Sequence, residues 1–227
     1  MARVMVAVAS ALLLAVGCGA VEQTRAEAAP RHEPAPNGFR RHTVREAGIS
    51  VALPIGFQVL AQRDAAFPGV YLNLVKLDQS FRGPISALAS PESPLKLFAF
   101  DRVFWHKRST TAMLVQATYG RPGLASRWME RMRRSLAGAA GRVGPLRTSV
   151  LAFTVGPALR AEYRTSLGDT QIVYIVAGRT GLWALMFRTP TPTMVARRAQ
   201  FDAAVRTLET SSPVGGLQRR DPASPGA

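Results

Sequence analysis

The side chains that most often carry catalysis or hold metals are few in this chain of 227 residues. Its three histidines are His32, His42 and His106, and none has the spacing of a metal ligand with another histidine or with the single cysteine. The 14 acidic residues offer no close pair that could divide the roles of acid and base. There is no G-x-S-x-G nucleophile turn and no glycine-rich phosphate loop. The sequence therefore predicts a non-enzyme, without catalytic residues, a metal site or a cofactor.

One serine has the spacing of an activated nucleophile. In Ser93-Pro94-Leu95-Lys96 the lysine follows the serine by three residues, as in the S-x-x-K motif of penicillin-recognising enzymes. That chemistry requires the serine to begin a helix, so that the lysine returns one turn later. The S-D-N and K-T-G motifs that accompany it are absent, and prolines at 84, 91 and 94 predict a loop over residues 78–94. We do not interpret this serine as catalytic.

The remaining reactive side chain is the thiol of Cys18, at the end of an apolar N-terminal segment. Arg3 supplies a positive charge, and the apolar run of residues 4–17 is shorter than the about 20 residues that span a bilayer as a helix. This is the layout of an export signal. The run Leu14-Ala15-Val16-Gly17-Cys18 resembles the bacterial lipobox, although Ala15 stands where that motif usually has Leu. The resemblance implies a lipoprotein signal peptide over residues 1–17 and lipidation of Cys18 by diacylglycerol and acyl chains such as palmitate.

The alternative is an ordinary secretory signal, cleaved after Ala20, in which Cys18 is a small apolar residue. The lipoprotein interpretation is favoured because Cys18 is the only cysteine and closes the apolar run. It predicts an exported protein anchored to the outer face of the cytoplasmic membrane or, in a host with two membranes, to the outer membrane.

Beyond the signal, the chain is strongly basic. Loss of residues 1–17 leaves 28 Lys and Arg against 14 Asp and Glu. Residues 18–38, with three prolines and no apolar periodicity, are predicted to be a flexible tether that begins at the lipidated cysteine. A tethered cationic protein should lie close to anionic lipids or envelope polymers. Its partners are thus expected to be the membrane, reached through Cys18, and anionic lipids or an envelope protein, whereas export argues against nucleic acid.

Arginines are concentrated in residues 123–140, which we predict to be an amphipathic helix. Its apolar residues repeat every four positions, the spacing of a single buried stripe: Leu124, Trp128, Met132 and Leu136. We predict that Arg127, Arg131 and Arg134 form an anion-binding surface for lipid headgroups or an acidic polymer. The alternative is an ordinary solvated face whose arginines reflect the codon usage of a GC-rich genome.

The elements around this helix predict an α+β fold. Strands are expected within residues 42–60 and over 70–77, with two apolar runs at 95–105 and 111–118. Four further runs, at 147–155, 158–166, 171–178 and 182–189, have such short connections that an antiparallel meander follows. Along residues 159–166 apolar and polar residues alternate, which places Glu162 between arginines on a wet face in a surface ion pair.

The boundaries follow from the same pattern. A single domain is predicted over residues 39–212, followed by a disordered tail at 213–227. Its last helix should begin at Thr191-Pro192, with the threonine as N-cap and the proline in the first helical position.

The order of these elements resembles the PsbP/Mog1-like domain, including LpqN-type bacterial lipoproteins. The resemblance rests on the turn Leu53-Pro54-Ile55-Gly56-Phe57 and on a final strand, LWALMFRTP, followed by a helix containing FDAAVRTLE. It implies an antiparallel sheet meander with helices packed on it, an α/β/α sandwich. Members of this group serve as assembly factors, binding modules and envelope lipoproteins, so the resemblance implies no single activity.

Two functions remain open from the sequence. The first is a membrane-anchored envelope lipoprotein that acts as a non-catalytic binding or scaffolding module. The alternative is a carrier that holds an apolar small ligand between sheet and helices, for which five residues are candidates: Trp128, Met132, Trp183, Met186 and Phe187. The same residues are also those expected of an ordinary core.

Overall fold

The computed structural model of the chain describes residues 33–61, 82–90, 93–101, 112–118, 125–139, 141–178 and 181–211. The predicted signal peptide, Cys18, the strand predicted at 70–77 and the tail lie outside these residues. The α+β class predicted from the sequence is confirmed, because two antiparallel sheets and three helices make up the described fold.

The larger sheet has seven strands. In chain order they are β3 (Phe57–Ala61), β4 (Leu95–Asp101), β5 (Ala112–Thr118), β6 (Arg142–Phe153), β7 (Gly156–Thr165), β8 (Asp169–Gly178) and β9 (Gly181–Pro190). Across the sheet the order is β3-β4-β5-β9-β8-β7-β6, and every neighbouring pair is antiparallel. The meander predicted from the last four runs is confirmed as β6 to β9. Its final strand, β9, pairs with β5 and so joins the meander to β3, β4 and β5.

The smaller sheet contains β1 (Phe39–Val44), β2 (Ile49–Pro54) and the two-residue β10 (Glu209–Thr210), with β2 in the centre. The predicted strand–turn–strand of residues 42–60 is present, but β2 and β3 belong to different sheets. The turn at Ile55-Gly56 therefore carries the chain from one layer to the other rather than closing a hairpin.

Helices cover both faces of the large sheet. On one face lie α3 (Met194–Arg206) and the small sheet, whose apolar residues share a core with Tyr174, Leu185 and Phe187. On the other face, α2 (Ala125–Ala137) places Leu136 against Leu159 and its neighbours. The third helix, α1 (Arg82–Ala89), packs on β4. These layers agree with the α/β/α sandwich that the family resemblance implies.

The loop predicted over residues 78–94 is wrong for residues 82–89, which form α1. Pro84 falls in the first turn of the helix, where the missing N–H group would have no intrahelical partner in any case. Ile85 and Leu88, three residues apart, are both fully buried and supply the apolar stripe that holds α1 to the sheet.

The start of the last helix also differs from its prediction. Thr191–Thr193 form a 3₁₀ turn, and the α-helix begins at Met194. Thr191 does not cap it, because its hydroxyl donates to the carbonyl oxygen of Gly168 at 2.9 Å, across the β7–β8 turn. Pro192 lies in the 3₁₀ turn, two residues before the α-helix, and not at its first position.

Strand β6 is an edge of the large sheet and is 12 residues long. Its register with β7 shifts between Val143 and Arg147. Gly144 within this irregularity has a φ of 77°, the left-handed region that glycine adopts readily. The edge strand is thus divided into two paired segments.

Candidate anion-binding face

The predicted arginine surface lies on α2, which is anchored at its C-terminal end. Leu136 is buried with Leu159, Ala161 and Tyr163 of the sheet. Arg142, the first residue of β6, donates to the carbonyl oxygen of Ala137 through Nε at 3.1 Å and through Nη2 at 2.8 Å. A cation at the C-terminus of a helix satisfies the free carbonyl groups and opposes the helix dipole. These contacts fix the helix on the sheet.

Three of the arginines predicted on α2 have described side chains, and all three face solvent. Arg131, Arg133 and Arg134 are exposed, as the sequence predicts, whereas the side chain of Arg127 lies outside the description. Arg127 precedes Arg131 by one helical turn and Arg134 follows it by three residues, so the backbone places all three positions along one side of the helix.

Glu130 modifies this face in a way that the sequence analysis missed. Its carboxylate accepts hydrogen bonds from Arg133 Nε at 2.7 Å and from Arg134 Nε at 3.0 Å. The hydrogen bonds from Arg133 and then Arg134 lower the pKa of Glu130 to about 2. The i, i+3 and i, i+4 spacing of these residues was a readable signal. Four arginines against one glutamate leave three net positive charges on α2.

The opposite side of the sheet uses its arginines differently. On that side, four carboxylates of the described residues each form an ion pair with an arginine from another element: Asp101 with Arg197, Glu162 with Arg198, Asp202 with Arg160, and Glu209 with Arg41. A fifth pair, Asp169 with Arg188, joins β8 to β9 on the α2 side of the sheet. The first pair is the least accessible, since 4% of the Asp101 side chain and 13% of the Arg197 side chain are exposed. Each of these carboxylates is paired with an arginine outside α2, so none of these pairs offsets the positive charge of α2.

The prediction of a wet surface pair at Glu162 is wrong. Glu162 accepts from Arg198 Nη2 at 2.7 Å, and Arg198 belongs to α3 rather than to the neighbouring positions on β7. Next to this pair, Tyr174 donates to Asp202, which also contacts Arg160 at 3.3 Å. Burial and the bond to Asp202 raise the pKa of Tyr174, so its hydroxyl remains a proton donor. The cluster attaches α3 to the sheet.

The other candidate residues for chemistry form no site. Ser93 precedes β4 rather than a helix, and Lys96 donates from Nζ to its main-chain oxygen at 2.7 Å, so the S-x-x-K geometry is absent. His42 is half-buried in β1, and burial, followed by the charge of Arg40, lowers its pKa. His32 and His106 lie outside the described residues. Within the described ranges, no group of three or more potential ligands could hold a metal ion.

The residues proposed for an apolar carrier do not surround one space. Trp183 and Phe187 belong to the core beneath α3, whereas Met186 belongs to the core beneath α2, on the other face of the sheet. Phe187 stacks on Phe201 with ring centroids 4.4 Å apart. The side chains of Trp128 and Met132 lie outside the description. In the part of the chain described, no helix has the length and apolar character needed to span a bilayer.

Comparisons with known proteins place the chain in no family. No family model matches its sequence, and the search of curated proteins gives no match. Among solved structures, it is similar to cyanobacterial PsbP from Synechocystis, with a TM-score of 0.44 and 12% identity over 87% of this chain and 99% of that one. It is also similar to a protein of unknown function, PA94, from Pseudomonas aeruginosa, with a TM-score of 0.36 and 9% identity over 77% of this chain and 99% of the other.

A structure from Bacteroides thetaiotaomicron is similar as well, with a TM-score of 0.40 and 11% identity over 77% of this chain, which spans 49% of that one. The sequence resemblance to PsbP/Mog1-like domains is thus accompanied by a structural likeness to a PsbP protein. Likeness at this level bears on neither family membership nor function, which must be argued from the chain itself.

Proposed function

We propose that this protein is an exported lipoprotein, anchored through Cys18, whose domain is a non-catalytic binding module for an anionic component of the cell envelope. The binding surface is the outer side of α2, with Arg127, Arg131 and Arg134 as its contacts. The component carries phosphate or carboxylate groups, as lipid headgroups and acidic envelope polymers both do.

The observation that carries this proposal is that arginines of the two helices have different partners: two of α3 pair with carboxylates of the strands, and two of α2 pair within the helix. Near α3, carboxylates from strands are paired with arginines of the helix, whereas Arg131, Arg133 and Arg134 of α2 are exposed, and the latter two pair with Glu130 of their own helix. A cluster of exposed guanidinium groups on a rigid helix favours planar anions, because each group can donate two parallel hydrogen bonds.

Co-sedimentation with vesicles tests the surface. The chain lacking residues 1–18 is mixed with vesicles that contain phosphatidylglycerol or only neutral lipid, with and without soluble polyphosphate as a competitor. We expect retention on the anionic vesicles alone. Changing Arg127, Arg131 and Arg134 together to Gln should lower the partition coefficient more than about tenfold, because each basic residue near an anionic surface contributes about 1 kcal/mol.

The matched control changes three exposed arginines that lie away from α2, Arg40, Arg45 and Arg206, to Gln, and so removes the same charge. An equal loss in both variants would show that net charge alone drives binding and would refute the α2 surface. Release by polyphosphate would indicate that a soluble polymer can occupy it. The anchor is tested separately, by the mass of the N-terminal peptide from host membranes: an unmodified Cys18 would refute it.

A second candidate, the carrier of an apolar ligand, is supported by one observation. Trp183 is 1% exposed, and its indole Nε1 has no hydrogen-bond partner among the described protein atoms. A buried donor without a partner is unusual and could bind an acceptor on a ligand. Native mass spectrometry of protein purified from its host would show a bound small molecule, and its absence would leave Trp183 as a core residue.

A further inference from the structure

The exposed large apolar side chains share one end of the large sheet. Five are exposed among the described residues, with exposed fractions between 52% and 79%: Ile55, Val143, Val150, Leu167 and Val195. Single exposed aliphatic residues are ordinary on protein surfaces. Here, however, all but Val150 lie at the end of the sheet where β3, β6 and β8 begin and where β7 and β9 finish.

Three of these residues are connected through short backbone contacts. Val143 is the pairing partner of Arg164 at the end of β7, and Ser166 donates from its N–H to the carbonyl oxygen of Gly141 at 2.8 Å. The loop between β7 and β8 also contacts the 3₁₀ turn before α3, because the N–H of Thr191 donates to the carbonyl oxygen of Gly168 at 3.2 Å. Val143, Leu167 and Val195 therefore lie on adjoining segments, which we name the strand-end rim.

The charges around the strand-end rim favour an anionic occupant. Arg142 and the exposed Arg164 flank Val143 in the sheet. The carboxylates of the strands towards this end, Asp101, Glu162 and Asp169, are paired with Arg197, Arg198 and Arg188. The 13-residue helix α3 begins at this end with no acidic residue of its own in the first turn, so the positive end of its dipole adds to the positive charge there.

The chain also enters the domain at this end. The carbonyl oxygen of Gly38, at the last position of the predicted tether, accepts a hydrogen bond from Ile55 N at 2.9 Å, and Phe39 pairs with Pro54. A tether anchored at Cys18 would therefore reach the fold beside Ile55. Helix α2 ends at Ala137 near Arg142, at the same end of the sheet.

We propose that the strand-end rim rests on an anionic bilayer, with Val143, Leu167 and Val195 in the headgroup layer and the exposed Arg164 at the phosphates. Interfacial binding of this kind combines buried apolar area with attraction to anionic lipid. The proposal uses the anchor of the proposed function to bring the rim to the surface, and it adds an orientation. Arg134 on α2 then lies nearer to the bilayer than Arg127.

Spin-label depth measurements test this orientation on the full chain isolated from its host membranes. Leu167→Cys is labelled and reconstituted in vesicles containing phosphatidylglycerol. The matched control is Val150→Cys, an exposed apolar position on β6 that lies away from the strand-end rim. A lipidated Cys18 does not react with the label. We expect the ratio of collision with oxygen to collision with a water-soluble nickel complex to be several-fold higher at position 167 than at 150.

Equal ratios at the two positions would overturn the strand-end rim. Val195→Cys provides a second label on a different element, and it must show the same high ratio as position 167. Dipolar broadening of the label at 167 in detergent without lipid would overturn it in favour of a contact between two copies. An unmodified Cys18, read from the peptide mass, refutes the anchor instead; the depth measurement is then made on the Cys18→Ser chain added to the same vesicles.

Discussion

Helices α2 and α3 have the same length and lie on opposite faces of one sheet, yet their arginines have different roles. Arg197 and Arg198 of α3 reach carboxylates on β4 and β7, which connects the helix to strands that are far apart in sequence. On α2, Arg133 and Arg134 both pair with Glu130 of the same helix. Charge on α3 therefore connects the helix to the sheet, whereas the pairs on α2 are exposed and stay within the helix.

The largest effect on this comparison should come from Arg197. Changing Arg197 to Met leaves the almost fully buried Asp101 without this cation, and we expect the free energy of unfolding to fall by about 3–5 kcal/mol. Changing Arg134 to Met should alter it by less than about 0.5 kcal/mol, because its pair with Glu130 is exposed. Urea denaturation of both variants measures the difference, and similar losses would contradict the division of roles.

Tyr174 should show the next largest effect. Tyr174→Phe removes the hydroxyl that donates to Asp202, and we expect a loss of about 2 kcal/mol, typical of a hydrogen bond to a charged group. The matched control is Tyr163→Phe on the α2 side of the sheet, where the hydroxyl donates to the neutral Gln171 and about 1 kcal/mol should be lost. A double-mutant cycle with Asp202→Asn would show no coupling if the hydroxyl did not attach α3.

Glu130→Gln should strengthen binding to anionic vesicles. It removes the negative charge that offsets Arg133 and Arg134, and we expect an increase of about fivefold in the partition coefficient, corresponding to about 1 kcal/mol. Because the pKa of Glu130 is about 2, the wild-type face should keep its charge as the pH falls from 7 to 5. Unchanged or weaker binding by the variant would refute α2 as the contact surface.

The smallest effect should be a dependence of stability on pH through His42, in the small sheet on the α3 side. Burial and Arg40 lower its pKa from the usual 6.5. As the pH falls through this value, the unfolded chain binds a proton before the folded one, so stability decreases on acidification. The thermal midpoint of His42→Gln should therefore fall less than that of the wild type between neutral pH and pH values below 6.5. An identical pH dependence would exclude His42 as the cause.

The local elements were predictable where the pattern of the segment itself decides the structure. The alternating runs with glycine turns gave β6 to β9, and the four-residue repeat gave α2, whose buried Leu136 and exposed Arg131 lie as expected. Helix α1 was missed because three prolines were counted without their positions, and only Pro84 falls inside the helix, where a proline is tolerated.

Long-range pairing was not predictable from one sequence. The alternation along β7 correctly separates Leu159 from Glu162, but only the fold shows that α3 covers the polar side and that Arg198 is the partner of Glu162. The same holds for the turn at Ile55, whose residues indicate a reversal of the chain but not a change of sheet. The arginine face of α2 was visible as a pattern, and its occupant depends on the binding experiments.

The interruption of β6 bears on how copies of this domain behave when they are concentrated. A 12-residue strand at the edge of a sheet displays unpaired main-chain groups that can template pairing with another molecule, the first step towards aggregation. Pro145 has no N–H group to offer, and Gly144 bends the strand beside it. The interruption therefore shortens the straight length of β6 along which a neighbouring copy could pair, and we expect it to reduce association through this edge when the domain is concentrated.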